Sequence, residues 1–414
     1  MSASTGRETG WTAEVTWGAD ALDALGTDWD RLFRRCSAAT PFQSRIWLSS
    51  WCRWYGQGNG RLCLVSVRHR GVLVAAAAFV LTRLRLWRVL RPVGVEQSDF
   101  CDVLVDDSGD GVPDARTIVE RLVTAIRSEL CFDLLDFPDV RPGSVLAQVR
   151  DAWGSGALEI PHELCLFFPG VLMEQHVGAI ETAKTRQRLR KSMRELGTAG
   201  VEVRLVTPAE AEEAMVRFLE LHRRQWAGRP VNSEHLTERF RGHLTTVLQG
   251  SIEAGESCGF QALLAEFSLK NEETLETEHV ASDLLIVGRS MVGRYLYGYL
   301  PSIRRRMDVF LAITRAAMAL TTERGLPELS LLRGAEPHKK RLHPNQAQSV
   351  RIVLADGPWG AVGLWAIRSR WFTANAVKSL LRRYIATPPT QTAASCRSPM
   401  SRWRAGRSRR NRTR

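Results

Sequence analysis

Apolar positions in the first third of the chain follow two periods. Segments that alternate between apolar and polar residues, or that are apolar throughout, predict β-strands, and segments with apolar residues every three or four positions predict helices. The predicted order is a strand, two helices, three strands, a helix and a strand, at residues 11–17, 19–36, 41–56, 62–67, 72–81, 101–105, 114–130 and 132–137. Residues 138–180 fit neither period, and we expect loops and a short strand there that join two units.

The same order recurs in the second half of the chain. After a basic helix at 181–196, the predicted elements fall at residues 201–206, 208–226, 234–249, 259–269, 279–288, 291–300, 303–324 and 329–332, with a further strand at 348–354. The repeat lies in the order of the elements, because the two halves share no obvious sequence identity. It predicts a duplicated α/β unit with mixed central sheets flanked by helices.

The repeat also predicts the domain boundaries. We expect a first domain at residues 1–165 and a second at 166–357. The remainder, 358–414, contains an amphipathic stretch at 361–384 and a tail rich in Thr, Pro, Ser and Arg that should be disordered.

Composition and cysteine placement exclude several classes of protein. With 44% hydrophobic and 24% charged residues, the chain has a globular composition. Its longest apolar run, Val72 to Leu81, is far shorter than the roughly 20 residues of a membrane-spanning helix, and the N-terminus has no apolar signal core. We therefore expect a cytoplasmic protein without a transmembrane segment. The eight cysteines form no CxxC pair, which argues against a disulfide framework and against a metal site.

Positive charge is concentrated at the C-terminus. The net charge is +13, and residues 397–414 contain eight arginines and no acidic residue, which leaves +5 for the rest. The tail is expected to bind polyanions, nucleic acid or acidic membrane alike, in a salt-dependent way. The helix at 181–196 carries six Lys or Arg against two Glu, and it is either a solvated face or a contact for RNA or phosphate.

The segment at 329–344, LSLLRGAEPHKKRLHP, carries the most specific pattern in the sequence. Its Arg333, Gly334, Glu336 and Lys339 form an RG-x-E-x-x-K motif. With the order of elements, this motif resembles the GNAT-like acyltransferase family linked to cellulose biosynthesis, a tandem-GNAT family related to the Fem aminoacyl transferases. His338 stands where that family usually has tyrosine.

The resemblance implies an enzyme. It would be an N-acyltransferase that transfers an acyl group from coenzyme A to an amine, and the expected acyl group is acetyl. The amine would belong to a small molecule or to a sugar-linked metabolite in polysaccharide biosynthesis. Two alternatives stay open. One is a Fem-like transferase that uses aminoacyl-tRNA, and the other is a catalytically degenerate GNAT scaffold that binds a polyanion or a partner protein. The oligomeric state is left open.

The resemblance also implies where the site lies. GNAT folds leave a gap between two parallel strands, here those at 291–300 and 329–332, and the motif follows the second of them. Glu336 or His338 is a candidate general base, and Lys339 is a candidate oxyanion stabiliser or phosphate contact. The alternative is that Glu336 forms a structural ion pair with Arg333 or Lys339.

Cofactor and acceptor residues are further expectations. GNAT enzymes hold the coenzyme A diphosphate in a glycine-rich turn before the long helix, and this turn is absent from residues 301–311. The expected replacements are the phosphate-binding cations Arg304, Arg305, Arg306 and Arg333. The expected acceptor residues are Asp102, beside Asp99, and His222, Trp226 and Arg229. For His222 and Trp226 the stronger alternative is a role in the core. The stripe of Trp47, Trp51 and Trp54 is also expected to be core, and its alternative role is a stacking surface for a sugar.

Overall fold

The computed structural model describes residues 10–58, 60–109, 111–228, 232–270 and 277–386. The strands are β1 Trp11–Trp17, β2 Arg61–His69, β3 Val72–Leu84, β4 Trp87–Pro92, β5 Leu104–Val105, β6 Leu134–Val140, β7 Ala157–Pro169, β8 Val201–Leu205, β9 Gln261–Lys270, β10 Thr277–Val287, β11 Val292–Tyr299, β12 Glu328–Arg333 and β13 Asn345–Ala355. The helices are α1 Ala21–Arg35, α2 Arg45–Tyr55, α3 Ala115–Glu129, α4 Leu146–Trp153, α5 Met173–Ala179, α6 Ala183–Thr198, α7 Ala211–Gln225, α8 Glu238–Ala254, α9 Val309–Glu323, α10 Pro337–Lys340 and α11 Gly357–Ala386.

Residues 1–366 form one compact unit, and residues 367–414 form a second, of which the structure describes the end of helix α11. No helix among the described residues is long and apolar enough to cross a membrane.

The described strands form one mixed sheet. Their order is β1-β2-β3-β4-β6-β13-β7-β12-β11-β10-β9-β8, with β5 attached to β3. The predicted mixed α/β class is confirmed, but the two sheets expected from the repeat are halves of a single sheet. The reason is an exchange of strands, since β13 pairs with β6 of the first half and β7 pairs with β12 of the second.

The junction between the halves is the antiparallel pair of β7 and β13. Their register runs from Asn345 opposite Phe167 to Leu354 opposite Ala157. Strand β7 spans 13 residues where the sequence predicts loops and a short strand. Its first half, ALEIPHE, is mostly exposed and contains Pro161, a residue type that argues against a strand interior and that lies here at an irregularity in the register with β13.

Each half contains one pair of parallel strands, and both pairs are short. In the first half β4 meets β6 only at Val89–Leu134 and Leu90–Leu135. In the second half β11 meets β12 only at Val292–Leu329 and Gly293–Ser330. Because pairing stops after two residues, the carboxyl ends of the two strands diverge in each case.

The tryptophan stripe of α2 belongs to the core. Trp47 and Trp51 are buried. The Nε1 of Trp47 donates to Ser98 Oγ at 3.0 Å, and that of Trp51 donates to Gln97 Oε1 at 2.7 Å. Aromatic rings that are buried and hydrogen-bonded in this way cannot offer a stacking surface to a sugar.

A buried ion pair lies beneath the gap between β11 and β12. Arg294 of β11 and Asp283 of β10 have side chains 3% and 1% exposed, with Arg294 Nε 3.0 Å from Asp283 Oδ2. The Arg294 guanidinium also donates to Thr314 Oγ1 of α9 at 2.9 Å and lies 4.9 Å from the ring centre of Phe310. This pair therefore connects the sheet to the helix that follows the gap.

Replacing Arg294 by methionine should destabilise the protein by about 3–5 kcal/mol, because the Asp283 carboxylate would be left buried without its partner. The double variant Arg294→Met/Asp283→Leu should recover a large part of that loss, since it removes the stranded charge as well. Urea unfolding measures both. Arg223→Met, which breaks an exposed pair with Glu220, is the control and should change stability little. A double variant no more stable than the single one would contradict this account.

Candidate functional site

A cavity of about 280 Å³ lies where β11 and β12 diverge. Strand β11 contributes Tyr295 and Tyr297 to its wall, and the end of α7 contributes His222 and Trp226. Asp99 of the first half also lines it. Arg333 at the end of β12 and Glu336, His338 and Lys339 in the segment after it also line the cavity. The structure therefore brings the residues of the RG-x-E-x-x-K motif together with two of the expected acceptor residues.

Lys339 holds the motif loop in its shape. Its Nζ lies 2.8 Å from the carbonyl oxygen of Arg333, 3.4 Å from that of Gly334 and 2.9 Å from Glu336 Oε2. An ammonium has three N–H groups, and these three acceptors use all of them. The geometry thus favours loop positioning over contact with an oxyanion.

Gly334 has a structural reason for its identity. Its φ is +91°, a left-handed conformation that side chains with a Cβ rarely adopt. A Cβ here would also lie 2.6 Å from Glu336 Oε1. The glycine therefore allows the Glu336 carboxylate to fold back over the loop toward Lys339.

Glu336 is an ionised, half-exposed carboxylate. Burial favours its neutral form, but the charge and hydrogen bond of Lys339 outweigh burial, so the pKa of Glu336 is lowered. Its negative charge, held close to Lys339, can attract a cationic group into the cavity.

Arg333 joins the two halves of the molecule. Its Nε donates to Asp99 Oδ1 and its Nη1 donates to Asp139 Oδ2, both at 2.6 Å. Burial disfavours the charge of the guanidinium, but the two carboxylates more than compensate, and the pKa of Arg333 is raised. The structure thus places Arg333 with the acceptor-side residue Asp99 and away from the 304–306 arginines with which the sequence analysis grouped it.

A second cavity, of about 590 Å³, adjoins the first. It is lined by Tyr299, Arg304 and Arg341 and by the start of α9. Four residues line both cavities, namely Trp226, Tyr297, Phe310 and His338. The two cavities therefore meet at the carboxyl end of β11.

Only one of the three consecutive arginines lines this second cavity. The Nε of Arg304 donates to the Tyr299 hydroxyl at 2.8 Å. Arg305 and Arg306 are exposed and lie outside the cavity lining, and Arg306 is 3.8 Å from Glu278. Arg341, which the sequence analysis missed because it lies downstream of the motif, lines the cavity instead.

The N-terminus of α9 is occupied by a side chain of the protein itself. Asp308 accepts a hydrogen bond from the Leu311 N–H at 3.0 Å, and it forms an ion pair with Arg341. Helix N-termini with free backbone N–H groups can bind anions, but here this carboxylate satisfies the Leu311 donor. The cationic side chains that line the cavity are those of Arg304 and Arg341.

Tyr297 and His338 stand at the junction of the two cavities. The Tyr297 hydroxyl is 2.8 Å from His338 Nε2, and the imidazole packs edge-on against Phe310 at 4.9 Å. Burial lowers the pKa of His338 to about 4 and raises the pKa of Tyr297 to about 12. At neutral pH the pair is therefore a neutral imidazole beside a protonated phenol.

A second pair of histidines lines the first cavity. His222 Nδ1 is 2.9 Å from the carbonyl oxygen of Tyr297, and its Nε2 is 3.3 Å from His235 Nδ1. Burial lowers the pKa of both imidazoles, that of His235 to about 4. The carbonyl requires a proton on His222 Nδ1. His235 was missed because it lies in a short polar turn without period. Arg229 lies outside the described residues.

Asp102 does not belong to this site. It is buried beside Cys101 and lines a separate void of about 20 Å³ in the first half. Its carboxylate accepts from the backbone N–H groups of Val103 at 2.8 Å and Val145 at 3.3 Å. It thus ties a loop, as acidic residues before a strand often do, and the neighbouring Asp99 is the carboxylate that reaches the cavity.

Comparisons with known proteins agree with the fold and with the class of enzyme. Residues 183–340 match the family model described as an acetyltransferase (GNAT) domain, which supports an acyltransferase enzyme. The crystal structure of FemX is similar over 85% of this chain and 99% of its own, with 10% identity and a TM-score of 0.56, a likeness of fold.

Two further structures are less similar. L-PGS from Bacillus licheniformis has 10% identity and a TM-score of 0.48 over 83% of this chain and 95% of its own. A tandem GNAT protein from the clavulanic acid biosynthesis pathway has 13% identity and a TM-score of 0.40 over 84% and 99%. No curated protein matches the chain.

Asp102 should make stability depend on pH in a way that Asp102→Asn abolishes. Burial raises the pKa of Asp102 from 3.8 to about 7, so the folded state holds a proton that the unfolded state releases, and stability falls as pH rises between these values. The stability of Asp102→Asn relative to the parent protein should rise by about 3 kcal/mol between pH 4.5 and pH 7.5 in urea unfolding. Parallel curves for the parent and Asp102→Asn would contradict the assignment.

Proposed function

We propose that the chain is a cytoplasmic N-acyltransferase that transfers an acyl group from coenzyme A to an amine of a small molecule or sugar-linked metabolite, as in polysaccharide assembly. One observation carries the proposal: β11 and β12 pair over only two residues and then diverge around a cavity that shares four lining residues with a second one at the start of α9. In this proposal residues 166–357 carry the chemistry, and residues 1–165 shape the acceptor side.

The two cavities divide the substrates between them. The second cavity takes the donor, with Arg304 and Arg341 on its phosphates and the thioester directed toward Tyr297. The first cavity takes the acceptor, whose amine is attracted by the Glu336 carboxylate. Donor and acceptor then meet at the junction lined by Tyr297 and His338, and this arrangement lowers the entropic cost of bringing them together.

Proton transfer is assigned to the pair at this junction. If His338 Nε2 donates to the Tyr297 oxygen, the lone pair on His338 Nδ1 is available for the proton that the attacking amine loses. The Tyr297 O–H is then available for the leaving sulfur. The amine nitrogen forms a bond to the acyl carbon, the carbon–sulfur bond breaks, and the thiolate takes the phenolic proton. His338, protonated on Nδ1, returns its Nε2 proton to the phenolate.

Fem-like transfer from aminoacyl-tRNA is the second candidate, and two contacts favour it. Asp308 places a negative charge at the helix end where GNAT folds bind the donor diphosphate. Arg188 of the basic helix α6 donates to the carbonyl oxygen of Arg341 at 3.3 Å, so the exposed cations of α6 lie beside the donor cavity. A polyanionic carrier bound along α6 would deliver its acyl group there.

Coenzyme A should stabilise the protein in a saturable way in a thermal-shift titration, because a ligand that binds only the folded state raises its unfolding temperature. Arg304→Ala should weaken binding roughly tenfold, the loss expected for one charge-assisted hydrogen bond to phosphate. Arg305→Ala is the matched control, since Arg305 is exposed outside the cavity lining. Stabilisation by aminoacyl-tRNA and none by millimolar coenzyme A would reject the leading proposal, and loss of the tRNA effect in Arg190→Glu/Arg194→Glu would establish the second candidate.

Tyr297→Phe and His338→Gln should each lower kcat about 100-fold or more without weakening coenzyme A binding, because each removes a proton donor or acceptor from the reacting centre. With pKa values of about 4 for His338 and about 12 for Tyr297, the rate should show no inflection from these groups between pH 6 and 9. Release of coenzyme A thiol with a panel of amines measures this. A parent-like kcat in both variants would remove the pair from the mechanism.

A further inference from the structure

The whole net charge of the protein lies in its last 58 residues. Residues 357–414 contain 13 Lys or Arg and no Asp or Glu, whereas residues 1–356 contain 44 basic and 44 acidic residues. A neutral body is therefore followed by a segment of +13 that begins with helix α11. The charged segment therefore includes helix α11 as well as the basic tail that follows it.

Two glycines fix the orientation of the start of α11. A Cβ at Gly360 would lie 2.2 Å from the carbonyl oxygen of Asp133, and one at Gly363 would lie 2.9 Å from Trp87 Nε1. These positions therefore face the body of the protein and leave no room for rotation of the helix. The large side chains on its other sides are directed to solvent.

An apolar patch results from this orientation. On α11 the side chains of Trp359, Val362 and Trp365 are 65%, 49% and 69% exposed. At the turn between β3 and β4, Leu84 and Leu86 are 63% and 77% exposed. We call these five residues the tryptophan patch.

The two parts of the patch are held together. Trp87, which follows Leu86, donates from Nε1 to the carbonyl oxygen of Trp359 at 3.1 Å. Arg83 and Arg85 flank Leu84 in the turn, and Arg85 is exposed. The patch thus combines exposed indole and aliphatic groups with arginines, and no acidic residue lies in either of its two segments, 83–87 and 357–366.

We propose that the tryptophan patch binds the surface of an anionic phospholipid bilayer. Indole rings favour the boundary between headgroups and acyl chains, aliphatic side chains enter the acyl region, and arginines bind anionic headgroups. In this proposal the patch lies at the headgroup boundary and the protein lies on the bilayer surface.

Charge and chemistry favour a lipid surface over other partners. A second copy seated on the patch would bring two segments of +13 together, and their repulsion opposes such a dimer. Nucleic acid would satisfy the arginines but would leave Leu84, Leu86 and Val362 in water. An acidic bilayer satisfies both the charge and the apolar groups.

The test is co-sedimentation of the full-length protein with vesicles of phosphatidylcholine alone or with about 30% phosphatidylglycerol, the acidic fraction supplying the attraction for basic residues. We expect binding to the acidic vesicles that persists in part at 0.5 M NaCl, where simple charge attraction is screened. Trp359→Ser/Trp365→Ser should reduce partitioning at least tenfold. Val203→Ser/Leu205→Ser, an exposed apolar pair on β8, is the matched control and should bind as the parent does.

Three results would overturn the proposal. Equal binding by the parent and the Trp359→Ser/Trp365→Ser variant would assign binding to tail charge alone. Binding to RNA with none to acidic vesicles would identify a nucleic-acid surface. A dimer that the double tryptophan variant abolishes, with no vesicle binding, would identify a self-interface. Circular dichroism of each variant establishes that the fold is retained.

Discussion

The site depends on the pairing of β12 with a strand from the other half of the chain. Strand β12 pairs with β11 over only two residues, and β7 anchors its other edge, with Arg333 opposite Cys165 and the Gly334 N–H donating to the Leu164 carbonyl at 3.0 Å. A strand presents backbone groups on both edges, so the groups of β12 that face away from β7 beyond this short pairing border the cavity. The exchange of β7 and β13 between the halves therefore holds the end of β12 in the sheet beside the cavity.

The first half takes part in the site through its loops. Its parallel pair, β4 and β6, stops after two residues as β11 and β12 do, and the residues that contact the side chains of the cavity follow β4 and end β6. Asp99 and Asp139 hold Arg333, and the carbonyl oxygen of Gln97 accepts from the Tyr295 hydroxyl at 2.9 Å. The first half thus fixes the position of side chains that the second half contributes to the cavity.

Periodicity predicted most of the fold because most elements have one buried face. Helix α2 is an example, predicted within 41–56 and observed at Arg45–Tyr55 with Trp47 and Trp51 buried. The full length of strand β7 was missed because Pro161 interrupts its exposed half, and the single sheet was missed because strand exchange between distant segments leaves no local signal. In the site, the motif located the loop, but spacing could not show that Lys339 uses its donors on backbone carbonyls. Nor could it show that Asp99, and not Asp102, faces the cavity.

The absence of a glycine-rich turn before α9 acquires a physical meaning from the contacts around Asp308. A glycine turn would present several rigid backbone N–H groups to a diphosphate, whereas here the Asp308 carboxylate takes the helix donor and binds Arg341. In the proposed function, phosphate recognition therefore falls to long side chains, which lose conformational freedom on binding and whose attraction weakens with ionic strength. Because side chains adapt to more than one arrangement of phosphates, such a donor cavity is less restricted to one carrier than a backbone cradle. The proximity of α6 to Arg341 is consistent with a carrier larger than a nucleotide. The tandem fold therefore constrains the class of reaction more than it constrains the identity of the donor.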